Sequence, residues 1–193
     1  MPKLGAVVAA MITALLLLGS PALAQEVTAR DREQIEARID ILEQALSGGD
    51  FAASLDVTPP ALRAALARRF GITEAEMRTL MAEALAPMMA DLTFVSYATD
   101  VPAAEIRTTP AGGRVYLLIP TTTVMDVRDA GRLRVRTDTL AIEEAGDWYL
   151  VRVQEEAQVS MLREVYPEFA DVQFPAGVTE PVPGPAPTPA SGS

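Results

Sequence analysis

The stretch RVYLLIPTTTVM, residues 114–125, carries the strongest strand pattern in the chain. Its β-branched and aromatic residues are typical of a strand, and Pro120 predicts a bend or a bulge within it. The sequence DAG at 129–131 suits a tight turn, and residues 132–143 alternate with a period of two. One face of that second strand carries Leu133, Val135, Thr137 and Thr139, and the other carries Arg132, Arg134, Arg136 and Asp138.

Further strands are predicted on both sides of this pair. Residues 92–99 and 105–109 precede it, and residues 148–153 follow it after the turn-forming sequence AGD at 145–147. The spacing of the turns predicts an antiparallel meander of about four to six strands.

Helical patterns precede the strands. Residues 28–46 form an amphipathic helix with Thr28 as N-cap and Asp31 at N3. A second helix starts at Thr58-Pro59, buries a stripe of Leu62, Leu66 and Phe70, and stops at Gly71. A third opens with the capping box Thr73–Glu76 and is kinked or ended by Pro87, and a short terminal helix covers 155–166.

This order of elements predicts the α+β class, with N-terminal helices packed on one face of an antiparallel sheet and a short C-terminal helix. Residues 25–174 form the single domain. Residues 175–193 are rich in Pro, Gly, Ser and Ala, lack an apolar pattern and are predicted to be disordered.

Residues 1–24 are predicted to be a cleavable signal peptide. Lys3 supplies the positive charge, an apolar run of about 15 residues follows, and Ala22-Leu23-Ala24 is a small-x-small cleavage site. Cleavage after Ala24 would make Gln25 the new N-terminus and place the protein in the periplasm. An uncleaved anchor is the alternative, but a membrane span needs roughly 20 apolar residues.

The sequence GDWYLVRV at 146–153, after the helices and strands described above, resembles the nuclear transport factor 2-like (ketosteroid isomerase-like) superfamily. The resemblance covers residues 28–153 and implies a cone formed by a bent sheet and the N-terminal helices. It also implies a pocket in which an Asp base and a Tyr or Asp proton donor could work. No catalytic motif of the superfamily matches residue by residue, so no catalytic residue is assigned. The stretches PTTTVMD at 120–126 and YPEF at 166–169 are similar to exported alphaproteobacterial proteins.

Composition excludes several kinds of site. The net charge of −10 opposes nucleic-acid binding, although residues 65–73 have the look of a helix-turn-helix. The absence of cysteine and histidine removes thiolates and the commonest metal ligand, so no metal or other cofactor is predicted, and a metal site of carboxylates alone is the alternative that stays open. The methionines of the third helix are interpreted as core residues rather than copper ligands.

Five residues on strands or strand ends are candidates for ligand binding: Tyr97, Tyr116, Asp126, Arg134 and Trp148. The arginine row that includes Arg134 could hold a carboxylate or phosphate, or could pair with Asp126, Glu143 or Glu155. The leading hypothesis is a non-enzymatic periplasmic domain that binds a small ligand or a partner protein, with a homodimer as one form of partner. One alternative is an Asp/Tyr acid–base enzyme of isomerase or hydrolase type. Another is a purely structural role in which the Pro-rich tail binds the envelope or another subunit.

Overall fold

The computed structural model describes residues 27–182. Its α-helices are α1 (Ala29–Gly48), α2 (Pro60–Phe70), α3 (Glu74–Met89) and α4 (Glu156–Val165), with 3₁₀ helices at Phe51–Val57 and Pro167–Phe169. Its strands are β1 (Leu92–Thr99), β2 (Glu105–Thr108), β3 (Val115–Val127), β4 (Gly131–Glu144), β5 (Asp147–Arg152) and β6 (Val178–Pro181). The predicted α+β class is confirmed.

The hairpin of β3 and β4 is the centre of the sheet. Its ladder runs without interruption from the pair Tyr116–Ile142 to the pair Val127–Gly131. The outer edge of β3 is shared by β2 and then β1, and the outer edge of β4 is shared by β5 and then β6. All these pairs are antiparallel, and the sheet curls into a half-barrel.

Of the bend or bulge that the sequence predicted at Pro120, the bulge is absent. It pairs with Asp138 in a continuous register, and the register shift of the sheet lies instead between Phe94 and Ser96 of β1. The Pro120 carbonyl accepts a hydrogen bond from the Asp100 N–H at 2.9 Å. Along β3, Pro120 lies in the gap between the residues that pair with β2 and those that pair with β1. The missing N–H of Pro120 therefore faces this gap and costs no ladder hydrogen bond.

Helices cover both faces of the sheet rather than the one face expected. Leu117, Ile119 and Ala141 face α1 and form one core with its apolar stripe. Leu118 and Leu140 point the other way and pack with residues of α2, α4 and the segment after α4. The contiguous apolar run at 115–119 is the signature of a strand that is buried on both faces.

The helix boundaries follow the predicted caps closely. Thr28 and Asp31 form the capping box of α1, and Gly49 and Gly71 end α1 and α2 in the left-handed conformation. The N-cap of α2 is Pro59, one residue later than predicted. Phe70 is the larger departure, because its side chain was expected in the core and is 68% exposed.

The prediction that the chain is disordered from residue 175 is wrong for β6. Residues 178–181 pair with β4 at Leu133 to Arg136. Glu180 of β6 forms ion pairs with Arg134 and Arg136 of that strand. Sequence composition missed this strand because its pairing depends on an edge of β4 that only the folded sheet presents.

No helix within residues 27–182 combines the length and apolarity that a bilayer crossing requires. The predicted signal peptide, its cleavage site at Ala24–Gln25 and residues 183–193 lie outside the described residues.

A substitution at Phe169 tests the core that lies on the α4 side of the sheet. It is fully buried and its ring contacts the rings of Tyr116, Tyr166 and Phe174. Phe169→Ala is expected to lower the free energy of unfolding by about 3–5 kcal/mol, because it removes a buried ring and leaves a cavity. Urea unfolding measures the change, and Phe70→Ala is the matched control with an expected change within about 0.5 kcal/mol. Equal losses in the two variants would contradict this description of the core.

Candidate functional site

Two of the five predicted site residues are core residues. Trp148 is buried on the α1 side, and its Nε1 donates to Asp31 Oδ1 at 2.9 Å. The Trp148 indole thus connects the first turn of α1 to β5. The hydrogen bond from the Thr28 hydroxyl, and to a smaller extent that from Trp148, lowers the pKa of Asp31. Tyr116 is buried on the opposite side of the sheet against Phe169.

The other three residues have partners within the sheet. The Tyr97 hydroxyl lies 3.4 Å from Thr139 Oγ1, and burial raises the pKa of Tyr97 above its usual value. Asp126 receives a bidentate pair of 2.8 Å bonds from Arg132, which lowers the pKa of Asp126. This is one of the cross-strand pairings that the sequence offered as an alternative to ligand binding.

Arg134 has a partner that the sequence did not suggest. Its Nη1 lies 3.2 Å from Glu180 Oε1, and the Nη2 of Arg136 lies 3.0 Å from the same oxygen. The arginine row therefore binds an anion that is part of this chain, the carboxylate of β6.

The structure does not bring the five residues together. Tyr97 and Trp148 line two different pockets, and Tyr116, Asp126 and Arg134 project from the opposite face of the sheet to Tyr97. None of the cavities described is lined by all five residues, so a ligand site that they form together stays a prediction.

A tyrosine–carboxylate pair does occur, at a position that the sequence reading did not single out. The Tyr166 hydroxyl donates to Glu144, whose other carboxylate oxygen accepts the Ala61 N–H of α2 at 3.2 Å. Burial first, and then the bond to Glu144, raises the pKa of Tyr166 far above its usual value of 10. The pair connects β4, α2 and the end of α4, so it stabilises the packing of these elements.

Tyr166 should make stability depend on alkaline pH. Because the folded protein holds the phenol proton more tightly than the unfolded chain, its contribution is complete below pH 10 and is lost as the pH rises above 10. Tyr166→Phe is expected to give a shallower decline in the free energy of unfolding between pH 10 and higher pH. Urea titrations at a series of alkaline pH values measure both slopes, and identical slopes would contradict the assignment.

An apolar cavity runs past the outer edge of β5. Its volume is about 560 Å³, and it lies between the 3₁₀ helix Phe51–Val57 with α2 on one side and β5 with the first turns of α4 on the other. We name it the β5 cleft. Its apolar lining includes Leu55, Leu62, Leu66, Phe70, Leu150 and Met161.

Leu150, a lining residue of the β5 cleft, has main-chain groups that point away from β4. The N–H and C=O of Trp148 point away from β4, because they bond to Gln34 Oε1 at 3.3 Å and Arg38 Nε at 3.0 Å on α1. Since such groups alternate along a strand, those of Leu150 point the same way. Within residues 27–182 they have no hydrogen-bond partner, and Leu150 lines the cleft.

The charges at the β5 cleft are all positive. Arg69 of α2 and Arg152 of β5 are lining residues, and no Asp or Glu is among them. Phe70 lines the cleft while most of its side chain is exposed, so it lies at the mouth. The sequence pattern did not indicate this site, since it placed Phe70 in the buried stripe of the second helix and Arg69 within a segment that resembles a helix-turn-helix. No local sequence signal could have found it, because the exposure of Phe70 follows from the tertiary packing.

Metal binding has no support in the part of the chain that the structure describes, because no group of three or more acidic side chains there is placed to share an ion. A scan against protein-family models found no match, and searches of curated proteins and of solved structures found none either. The resemblance to the nuclear transport factor 2-like superfamily therefore stays a prediction.

Proposed function

We propose that this protein is an exported, periplasmic binding domain that holds a small, largely apolar ligand in the β5 cleft without transforming it. The observation that carries the proposal is the cleft itself, which is lined mainly by aliphatic and aromatic side chains. Its volume falls within the roughly 300–1,000 Å³ of small-molecule sites.

The cleft also has the few polar groups that orient a ligand in such sites. The main-chain groups of Leu150 offer one donor and one acceptor, and Gln158 and Ser160 of α4 line the wall. An apolar ligand would cover surface that now faces water, so burial of that surface supplies the binding energy.

The arrangement of titratable groups favours binding over acid–base catalysis. The lining of the β5 cleft contains no Asp, Glu or Tyr, whereas Tyr166 and Glu144 are bonded to each other elsewhere. A general base must lie within about 2.6–3.2 Å of the proton that it removes. The Asp/Tyr enzyme remains the alternative, and it would need a pocket other than this cleft.

Filling the cleft should weaken ligand binding. Leu66→Trp adds a large ring from the α2 wall, and Ser160→Phe adds one from an exposed position on α4. Each is expected to weaken binding of the neutral fluorescent probe N-phenyl-1-naphthylamine by at least about tenfold, because the ring occupies the space of the probe. Fluorescence titration measures the affinity.

Ile106→Trp is the matched control, because Ile106 is exposed on β2 and is not a lining residue of the cleft. Its affinity should equal that of the wild-type protein. Wild-type affinity in both filled variants, with thermal unfolding showing that they are folded, would contradict the proposal.

Export should leave a defined N-terminus. We expect the protein recovered from the periplasm of a Gram-negative host to begin at Gln25, because Ala22 and Ala24 satisfy the peptidase. Intact-mass spectrometry of the fractionated cells measures the cleavage point. Material that retains Met1 and fractionates with the cytosol would refute the periplasmic assignment.

A further inference from the structure

We infer that the ligand of the β5 cleft is a single-chain amphiphile with a carboxylate head group, such as a fatty acid, held by Arg69 and Arg152. The inference rests on the proposed function and names its ligand class. Its basis is the combination of an apolar cavity with two guanidinium groups and no carboxylate in the lining.

Eight of the fifteen arginines of the chain form ion pairs, and Arg69 and Arg152 are among those for which no pair is found within residues 27–182. Residues such as Arg63, Arg78, Arg114 and Arg132 form ion pairs with carboxylates. The protein has a net charge of −10, so two unpaired guanidinium groups at one apolar cavity make a positively charged site on a negatively charged protein.

Arg152 retains donors for a ligand. One of its N–H groups donates to Gln154 Oε1 at 2.9 Å, and a guanidinium has five N–H donors in a planar fork. That fork matches the two oxygens of a carboxylate, which is why arginine commonly binds such groups in a bidentate manner. Arg69 is exposed near the end of α2, close in sequence to Phe70 at the mouth of the cleft.

The remainder of the lining fits a hydrocarbon chain. Leu55, Leu62, Leu66, Met81 and Met161 present aliphatic and thioether groups, and methionine adapts to chains of varied shape. A cavity of about 560 Å³ is of the size that takes one drug-sized ligand, which favours one acyl chain over a two-chain lipid.

The test is calorimetric titration of the full mature protein with dodecanoate, dodecanol and dodecyl phosphate, each below its aggregation concentration. Dodecanoate should bind at least about tenfold more tightly than dodecanol, since only the acid adds charge-assisted hydrogen bonds. Its affinity should fall with added salt, and decanoate should bind about tenfold more weakly because two buried methylenes are lost.

The paired substitution Arg69→Gln with Arg152→Gln should remove the preference for dodecanoate and leave dodecanol binding unchanged. Arg68→Gln is the matched control, because Arg68 is exposed on the same helix and is not a lining residue. It should bind all three probes as the wild-type protein does.

The outcomes separate the two proposals. Equal binding of dodecanol and dodecanoate would overturn the carboxylate assignment and leave the apolar binding function standing. Tighter binding of dodecyl phosphate than of dodecanoate would also overturn it, in favour of a phosphate head group. Failure of every probe, together with failure of N-phenyl-1-naphthylamine, would overturn the proposed function as well.

Discussion

The continuous pairing of β3 with β4 is the constraint on which the other elements depend. At the base of this hairpin, Leu117 and Leu118 are both buried although they point to opposite faces. A strand buried on both faces needs packing partners on each, so α1 covers one face while α2 and α4 cover the other. Loss of the hairpin would leave both cores without their central layer.

The β5 cleft is a consequence of the position of β5 at the end of this sheet. Because β5 pairs only with β4, its outer main-chain groups need partners from other elements. Side chains of α1 supply them at Trp148, but the next outward residue, Leu150, faces the cavity. The apolar walls therefore lie beside the unpaired main-chain N–H and C=O of Leu150, which would offer the proposed ligand one donor and one acceptor in addition to apolar contact.

Electrostatics in this protein are arranged so that most arginines hold the fold together. Arg132 and Arg134 hold carboxylates of β3 and β6, and the β6 contact secures a strand that comes after the last helix. Such exposed pairs contribute about 0–1 kcal/mol each, so their effect lies more in fixing register than in stability. Arg69 and Arg152 are among the arginines without an ion pair within residues 27–182, and the cleft is positively charged because no carboxylate is among its lining residues.

The sequence by itself determined the local elements. Caps at Thr28 and Thr73, the turn at 129–131 and the alternation of residues 132–143 depend on hydrogen bonds and periodicities within a few residues. They sufficed for the α+β class and for β1, β3, β4 and β5 to within about two residues at each end. The apolar run at 115–119 is typical of a strand that is buried on both faces. The prediction of helices on one face only did not take this pattern into account.

Only the tertiary structure decided the location of the candidate site. Tyr116 and Trp148 were candidates for ligand binding from their positions on strands, but both are core residues in the folded sheet. Arg69 and Arg152 are 83 positions apart in the sequence, and nothing local indicates that they line one cavity. Their meeting depends on how α2 and α4 pack around the edge of β5, a long-range arrangement that periodicity and caps do not encode.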